Sequence, residues 1–286
     1  MMYNAGTPYL TVTESEETGM ALSATILSFG GIVFGTGSGW TPVASDYNMG
    51  LPEDTSKTVI FILTFCGSYF GLVFCEVLGV LLGIAIQNND DWNQAFGISF
   101  GNLMNEIFSK YGSGAQKFIM IILTLSVVAN NIANTYSAGV SVAALGPIFQ
   151  KVPRALWTLL VTVIYTIAGV AGQESFEAIL SNLLSILSYW TGMFAVVILE
   201  EHFIFRRGVY KSEIYNDPSQ LPIGIAGVSA FLLGIVGAVV GMDQTWYAGP
   251  IAVQIGYGDI GFELAALFAG AIYLPLRTYE LKKYGR

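Results

Sequence analysis

The amino-acid sequence predicts an all-α polytopic membrane protein with about seven transmembrane helices, and three observations carry that reading. Hydrophobic residues fill 53% of the 286 positions and charged residues 11%, with a mean hydropathy of +0.60, outside the range of ordinary soluble domains. Seven apolar segments, at 20–39, 58–86, 118–145, 156–171, 179–199, 223–240 and roughly 255–276, approach or exceed the ~20 residues needed to cross the hydrocarbon layer, the fourth being somewhat short. The basic residues also segregate. Alternating spans put Lys57, Lys151, Arg154, Arg206, Arg207, Lys211, Arg277, Lys282, Lys283 and Arg286 on one side, and only Lys110 and Lys117 on the other. Cytoplasmic loops retain Lys and Arg, so the C-terminus is expected in the cytoplasm and the N-terminus outside.

The net charge of -8 is not the mark of a nucleic-acid binder, and nucleic acid is excluded as a partner. Many of the acids, including Glu14, Glu16, Glu17, Asp90, Asp91, Glu106, Glu174 and Glu177, fall in segments expected outside. Residues 1–19 are polar and lack a signal peptide's basic start and apolar stretch, so further sequence is expected upstream. Cys66 and Cys75 lie within the second span, where packing is their default role.

The first span, continued into the loop, reads ALSATILSFGGIVFGTGSGWTPVASDY over residues 21–47, with Gly30, Gly31, Gly35, Gly37 and Gly39 within ten residues. Each glycine costs ~1 kcal/mol against alanine inside a helix, so the helix is expected to unwind midway. In lipid, bare backbone survives where it lines a cavity, which would make Gly39 and Trp40 the rim of a binding site. A glycine-rich packing seam with Trp40 as an interfacial anchor stands beside that reading.

The second span carries Glu76, whose burial in lipid demands protonation, a partner or an interior position. It is a candidate for proton coupling or a structural acid bonded to a neighbouring helix. Residues 88–113 form an external loop in which Phe96, Phe100, Leu103, Met104, Ile107, Phe108 and Tyr111 recur at three- and four-residue steps. That period predicts one amphipathic helix, across the outer mouth or on the lipid headgroups.

Asn130, Asn131 and Asn134 sit in the third span, with Tyr136 and Ser137 following. Amides offer donors and acceptors together, which suits a ligand with a mixed hydrogen-bonding edge as well as interhelical contacts. The fourth span reads as scaffold. The fifth repeats Ser181, Ser185 and Ser188 beside Asn182, a stripe for close helix packing or a moving gate. Glu200, Glu201, His202, Arg206 and Arg207 close it at the inner boundary. No phosphate loop, metal-ligand spacing or activated nucleophile is present in the sequence, so neither enzyme chemistry nor a metal or other cofactor is expected.

GWTPVASDY at 39–47, ANNIANTYS at 129–137 and FEAILSNLLSILSYW running on to LEEHFIFR at 176–206 resemble the fungal purine-cytosine permeases of the nucleobase-cation symporter family. The resemblance covers the chain from about Pro8 onward. It implies a leucine-transporter-like fold of twelve helices, of which this chain looks like helices six to twelve: the second inverted repeat plus two accessory helices, a single transporter domain without the first five. It further implies that Trp40 stacks on a flat nucleobase of the cytosine, adenine, guanine and hypoxanthine class, with Asn134 or Asn131 reading its edge. A sodium-coupled relative would carry hydroxyls shortly before these asparagines; here Val127, Val128 and Ala129 stand there, with only Ser126 nearby, which implies a proton as coupling ion. The expected function is secondary active transport, inactive if the first five helices are absent. A truncated or regulatory, non-transporting membrane protein of the same family is the alternative.

Overall fold

In the computed structural model the described residues are 9–12, 17–44, 48, 50–52, 54–172, 176–210, 214, 217 and 219–286. Ser45, Asp46 and Tyr47 of the first motif, and Glu14, Glu16, Glu174 and Lys211 among the charges, lie outside them, as do the side chains of residues 176–178. The described residues fall into two compact units, one within Met1–Glu14 and Asp46–Ile179, the other within Ser15–Ser45 and Leu180–Arg286.

The helices, in chain order, are α1 (Gly19–Ser38), α2 (Lys57–Gln87), α3 (Asp90–Ile98), α4 (Phe100–Ser109), α5 (Ser113–Ala144), α6 (Pro147–Gln150), α7 (Arg154–Gly172), α8 (Phe176–Glu200), α9 (Ile225–Gly241), α10 (Pro250–Gln254) and α11 (Gly261–Tyr284). Among the described residues five stretches are long and apolar enough to span a membrane: Gly19–Val43, α2, α5, α7 and Ile179–Phe205. The protein is therefore a multi-pass membrane protein, and its described residues are helical apart from one two-stranded hairpin, β1 (Asp243–Gln244) with β2 (Tyr247–Ala248). Helix α9 is apolar but only 17 residues long. The seventh expected span does not run from residue 255, because Gly256 and Tyr257 turn through positive φ (91° and 63°) and separate α10 from α11.

In the first unit, the end of α2 is tied down by Asn88. Its amide donates to the carbonyls of Ile84, Tyr9 and Thr11 at 2.9–3.1 Å, satisfying a helix-end acceptor and holding residues 9–12 against it. The expected single amphipathic helix is two. Asn89 caps α3 by accepting the N–H groups of Asp91 and Trp92, and Asp90 and Asp91 complement the helix dipole. Ser99, in extended conformation, ends α3 and caps α4 by accepting the Asn102 N–H at 3.1 Å. Of the apolar residues expected on one face, Leu103, Met104, Ile107 and Phe108 are buried with Trp92 and Ala85, whereas Phe100 and Tyr111 remain exposed. Helices α5 and α7 meet at Gly139, where an added Cβ would lie 2.6 Å from the Thr158 hydroxyl.

In the second unit, α9 and α11 pack through small residues repeated every four positions: Ala226, Ala230, Gly234 and Ala238 on α9, Gly261, Ala265 and Ala269 on α11. Without bulky side chains the backbones approach closely, the usual driving force for helix pairing in lipid. Tyr189 and Met193 of α8 complete this core. At its C-terminal end α8 passes into a π-helical turn, Glu201–Phe205. There Glu201 accepts from Arg206 (2.7 Å), Arg277 (3.1 and 3.2 Å) and Tyr273 (2.9 Å). Arg277 also donates to Glu280, whose second oxygen caps α9 by accepting the N–H groups of Gly224 and Ile225.

Helix α1 does not unwind midway. It runs unbroken through Gly30, Gly31, Gly35 and Gly37 and ends at Ser38, with Gly39 as its cap. The reason lies in packing: a Cβ on Gly31 would come 3.1 Å from Phe262 Cβ, and one on Gly35 would come 2.9 Å from Ser188 Cα. The glycines let α1 settle on α8 and α11, and those contacts offset their low helix propensity.

Candidate functional site

Trp40 sits where α1 gives way to the 3₁₀ turn Thr41–Val43, which Pro42 favours in its first turn. The Gly39 N–H bonds the Gly35 carbonyl at 2.9 Å, the Trp40 N–H reaches Gly37 O at 3.4 Å, and the Trp40 carbonyl accepts from Val43 at 3.2 Å. The peptide groups around Gly39 are thus engaged in helix-like bonds rather than bare. Trp40 itself is 40% exposed.

The α8 stripe lies in the same unit and divides by depth. Ser181 is exposed, and Asn182 donates to Thr245 at 2.9 Å. Ser185 and Ser188 are buried, Ser188 donating to the Ser185 carbonyl at 2.7 Å beneath Gly35 of α1. Thr191, one further step along, is buried and accepts a hydrogen bond from Ser38 at 3.0 Å. The three-residue step from Ser185 to Ser188, continued once more, reaches Thr191 and extends the stripe expected from the sequence.

A second buried polar group escaped the sequence altogether. The Tyr189 hydroxyl bonds the Asp259 carboxylate, and Gln244 donates to both at 2.7 Å. Asp259 also accepts the Gly261 N–H at 2.9 Å, fixing the entry to α11. In the hairpin outside the spans, burial and the nearby Asp259 push the Asp243 carboxyl above the usual carboxylate range.

The remaining candidates belong to the first unit. On α5, Asn130 and Asn134 are exposed and Asn131 half-buried, and their side-chain amides bond to no described residue. The Asn131 carbonyl accepts the Thr135 hydroxyl at 2.6 Å, and the hydroxyl oxygen of buried Ser137 has no partner among the described residues. Glu76 on α2 is half-buried and makes no ion pair with a described residue. A cavity of about 410 Å³ opens between α2, α4 and α5, walled by Leu82, Trp92, Met104, Ile107, Thr124 and Val127 among others. Its lining is mostly apolar, Thr124 and Ser126 being the hydroxyl-bearing members, and neither Glu76 nor the three asparagines border it. Among the described residues no group of three or more His, Cys, Asp or Glu side chains could hold a metal.

A family model described as "Permease for cytosine/purines, uracil, thiamine, allantoin" matches residues 8–262. The purine-cytosine permease fcyB of Emericella nidulans is 38% identical over 94% of this chain and 53% of its own length. The purine-cytosine permease FCY2 of Saccharomyces cerevisiae is 34% identical over 94% and 51%, and the vitamin B6 transporter TPN1 of the same yeast 30% over 91% and 54%. The chain thus spans about half the length of the curated relatives it matches. No solved structure matches it. With its membrane helices and a match over most of its length, this chain belongs to the family of permeases for cytosine and purines, uracil, thiamine and allantoin, whose relatives here are transporters and not enzymes.

Proposed function

We propose that the chain is part of a proton-coupled secondary transporter of nucleobases, taking cytosine and purines such as adenine, guanine and hypoxanthine across the plasma membrane, with its C-terminus in the cytoplasm. The observation that supports this most is the 38% identity to a purine-cytosine permease over 94% of the chain. On this reading the chain supplies the second inverted repeat and two accessory helices of a leucine-transporter-like fold. Substrates in that architecture lie near the bilayer midplane between repeats. Trp40 gives a flat ring its stacking surface, and the free amides of Asn134 and Asn131 pair with the ring's polar edge, as amides pair with adenine in DNA. Amides with no partner among the described residues are what such recognition needs, since an amide already satisfied within the fold has nothing to offer a ligand.

The test uses the chain joined in frame to the part of the Emericella nidulans permease that it does not match, expressed in cells without nucleobase permeases. Labelled cytosine uptake is competed with adenine, guanine, hypoxanthine and pyridoxine, the last because one relative is a vitamin B6 transporter. Asn134→Ala is expected to change the rank order of competitors, because a site built to bond a polar edge discriminates through that bond. An unchanged order removes Asn134 from base recognition. Glu76→Gln keeps shape and loses a titratable proton, so it is expected to flatten the dependence of uptake on external pH. A pH profile parallel to the parent's returns Glu76 to a structural role.

A further inference from the structure

We infer that Glu200 is a proton-binding acid, held in its neutral form in a socket that Gly270 leaves open on α11. The inference adds a second acid, beside Glu76, to the proton-coupled reading of the chain, and only its transport consequence rests on that reading. Glu200 lies in the apolar stretch Ile179–Phe205. Its Oε2 is buried without a hydrogen-bond partner among the described residues, and it forms no ion pair with any of them. A Cβ built on Gly270 would come 2.8 Å from Glu200 Oε1 and 3.0 Å from Val196 Cγ2. The carboxyl thus fills space that a side chain at position 270 would take, against a glycine and a valine that offer it no polar hydrogen.

The surroundings decide between the charged and the neutral form. Burying a carboxylate oxygen without a donor is costly, and within a lipid-spanning stretch water does not offset the cost. Glu200 also ends α8, where backbone carbonyls concentrate negative charge, and the next residue is the acid Glu201. The donors nearest in sequence on α11 and the π turn are committed elsewhere. Arg277 donates to Glu201, Glu280 and the Arg286 carbonyl, while Arg206 and the Tyr273 hydroxyl donate to Glu201. His202 bonds Tyr210. Helices α1 and α9 carry no titratable residue. Glu263 of α11 stands seven positions before Gly270, ~10 Å along the helix. It too has a buried oxygen without a partner among the described residues, but it lies in the first turn of α11, where the helix N-terminus favours an anion. Glu200 has no such support and keeps its proton. It is half-buried rather than sealed, so a proton has a way in and out.

The full chain in lipid nanodiscs is tested by infrared spectroscopy at neutral pH, where a protonated carboxyl shows a carbonyl stretch apart from those of amides and carboxylates. Glu200→Gln, which keeps the shape, is expected to remove such a band, and Glu263→Gln to leave it in place. Gly270→Ala, whose Cβ takes the socket, should weaken the same band. A Glu200→Gln spectrum that retains every protonated-carboxyl band of the parent overturns the inference. In the joined transporter Glu200→Gln should flatten the dependence of cytosine uptake on external pH. A lost band with a pH profile parallel to the parent's keeps the proton site and removes it from coupling. A joined parent whose uptake ignores external pH instead removes the proton-coupled reading, and the infrared result stands without it.

Discussion

Trp40→Ala in the joined transporter is expected to weaken nucleobase binding by roughly tenfold to more than a hundredfold, because a lost stack between base and aromatic ring costs ~1–3 kcal/mol. Trp40 is partly exposed at the end of α1, so truncation opens no core cavity and should leave the fold and surface expression near those of the parent. Trp40→Phe retains a flat ring and should recover much of the loss. Cytosine uptake equal to the parent's at a substrate concentration well below saturation, with normal expression, would remove Trp40 from the site.

A comparably large effect is expected at Arg277, which is not among the proposed substrate-binding residues. Arg277 is 4% exposed, and its guanidinium joins Glu201 on the π turn after α8 to Glu280 of α11, which caps the start of α9. Arg277→Met fills similar volume but strips both carboxylates of their shared cation. Breaking a buried ion pair in this way typically costs about 3–5 kcal/mol, because an uncompensated charge stays behind. The melting temperature of the purified chain should fall steeply. Adding Glu280→Gln should recover part of the fall, since it removes one stranded charge while keeping an oxygen for the α9 cap. A single variant that melts with the parent would show that the network contributes no net stability.

The long helices were legible because apolar length is a local property: the second span, expected over 58–86, is α2 at Lys57–Gln87. The break at Ser99 was hidden by an apolar period that continues across it, although a serine three residues before Asn102 is the capping signal that ends the period. The course of α1 was misjudged for a different reason. Glycine propensity is read from neighbours in sequence, whereas the partners that hold this helix together, Ser188 and Phe262, lie more than 150 residues away. The same distance concealed the Ser38–Thr191 bond, whose partners are 153 positions apart. Candidate ligand groups were easier to find than their supports. Indole and amide side chains declare their chemistry in one residue, while the contacts that aim them are tertiary.

On the proposed function, this chain contributes one wall of a nucleobase site whose other wall comes from the half of its relatives that it does not match. Radiolabelled cytosine uptake tests it most directly, in cells without nucleobase permeases, comparing the chain alone with the joined form at equal surface expression. Saturable uptake by the joined form, suppressed by unlabelled purines, is expected, and none by the chain alone, in which Trp40 would have no opposing wall. Absence of uptake by the joined form, or uptake by the chain alone, would contradict it.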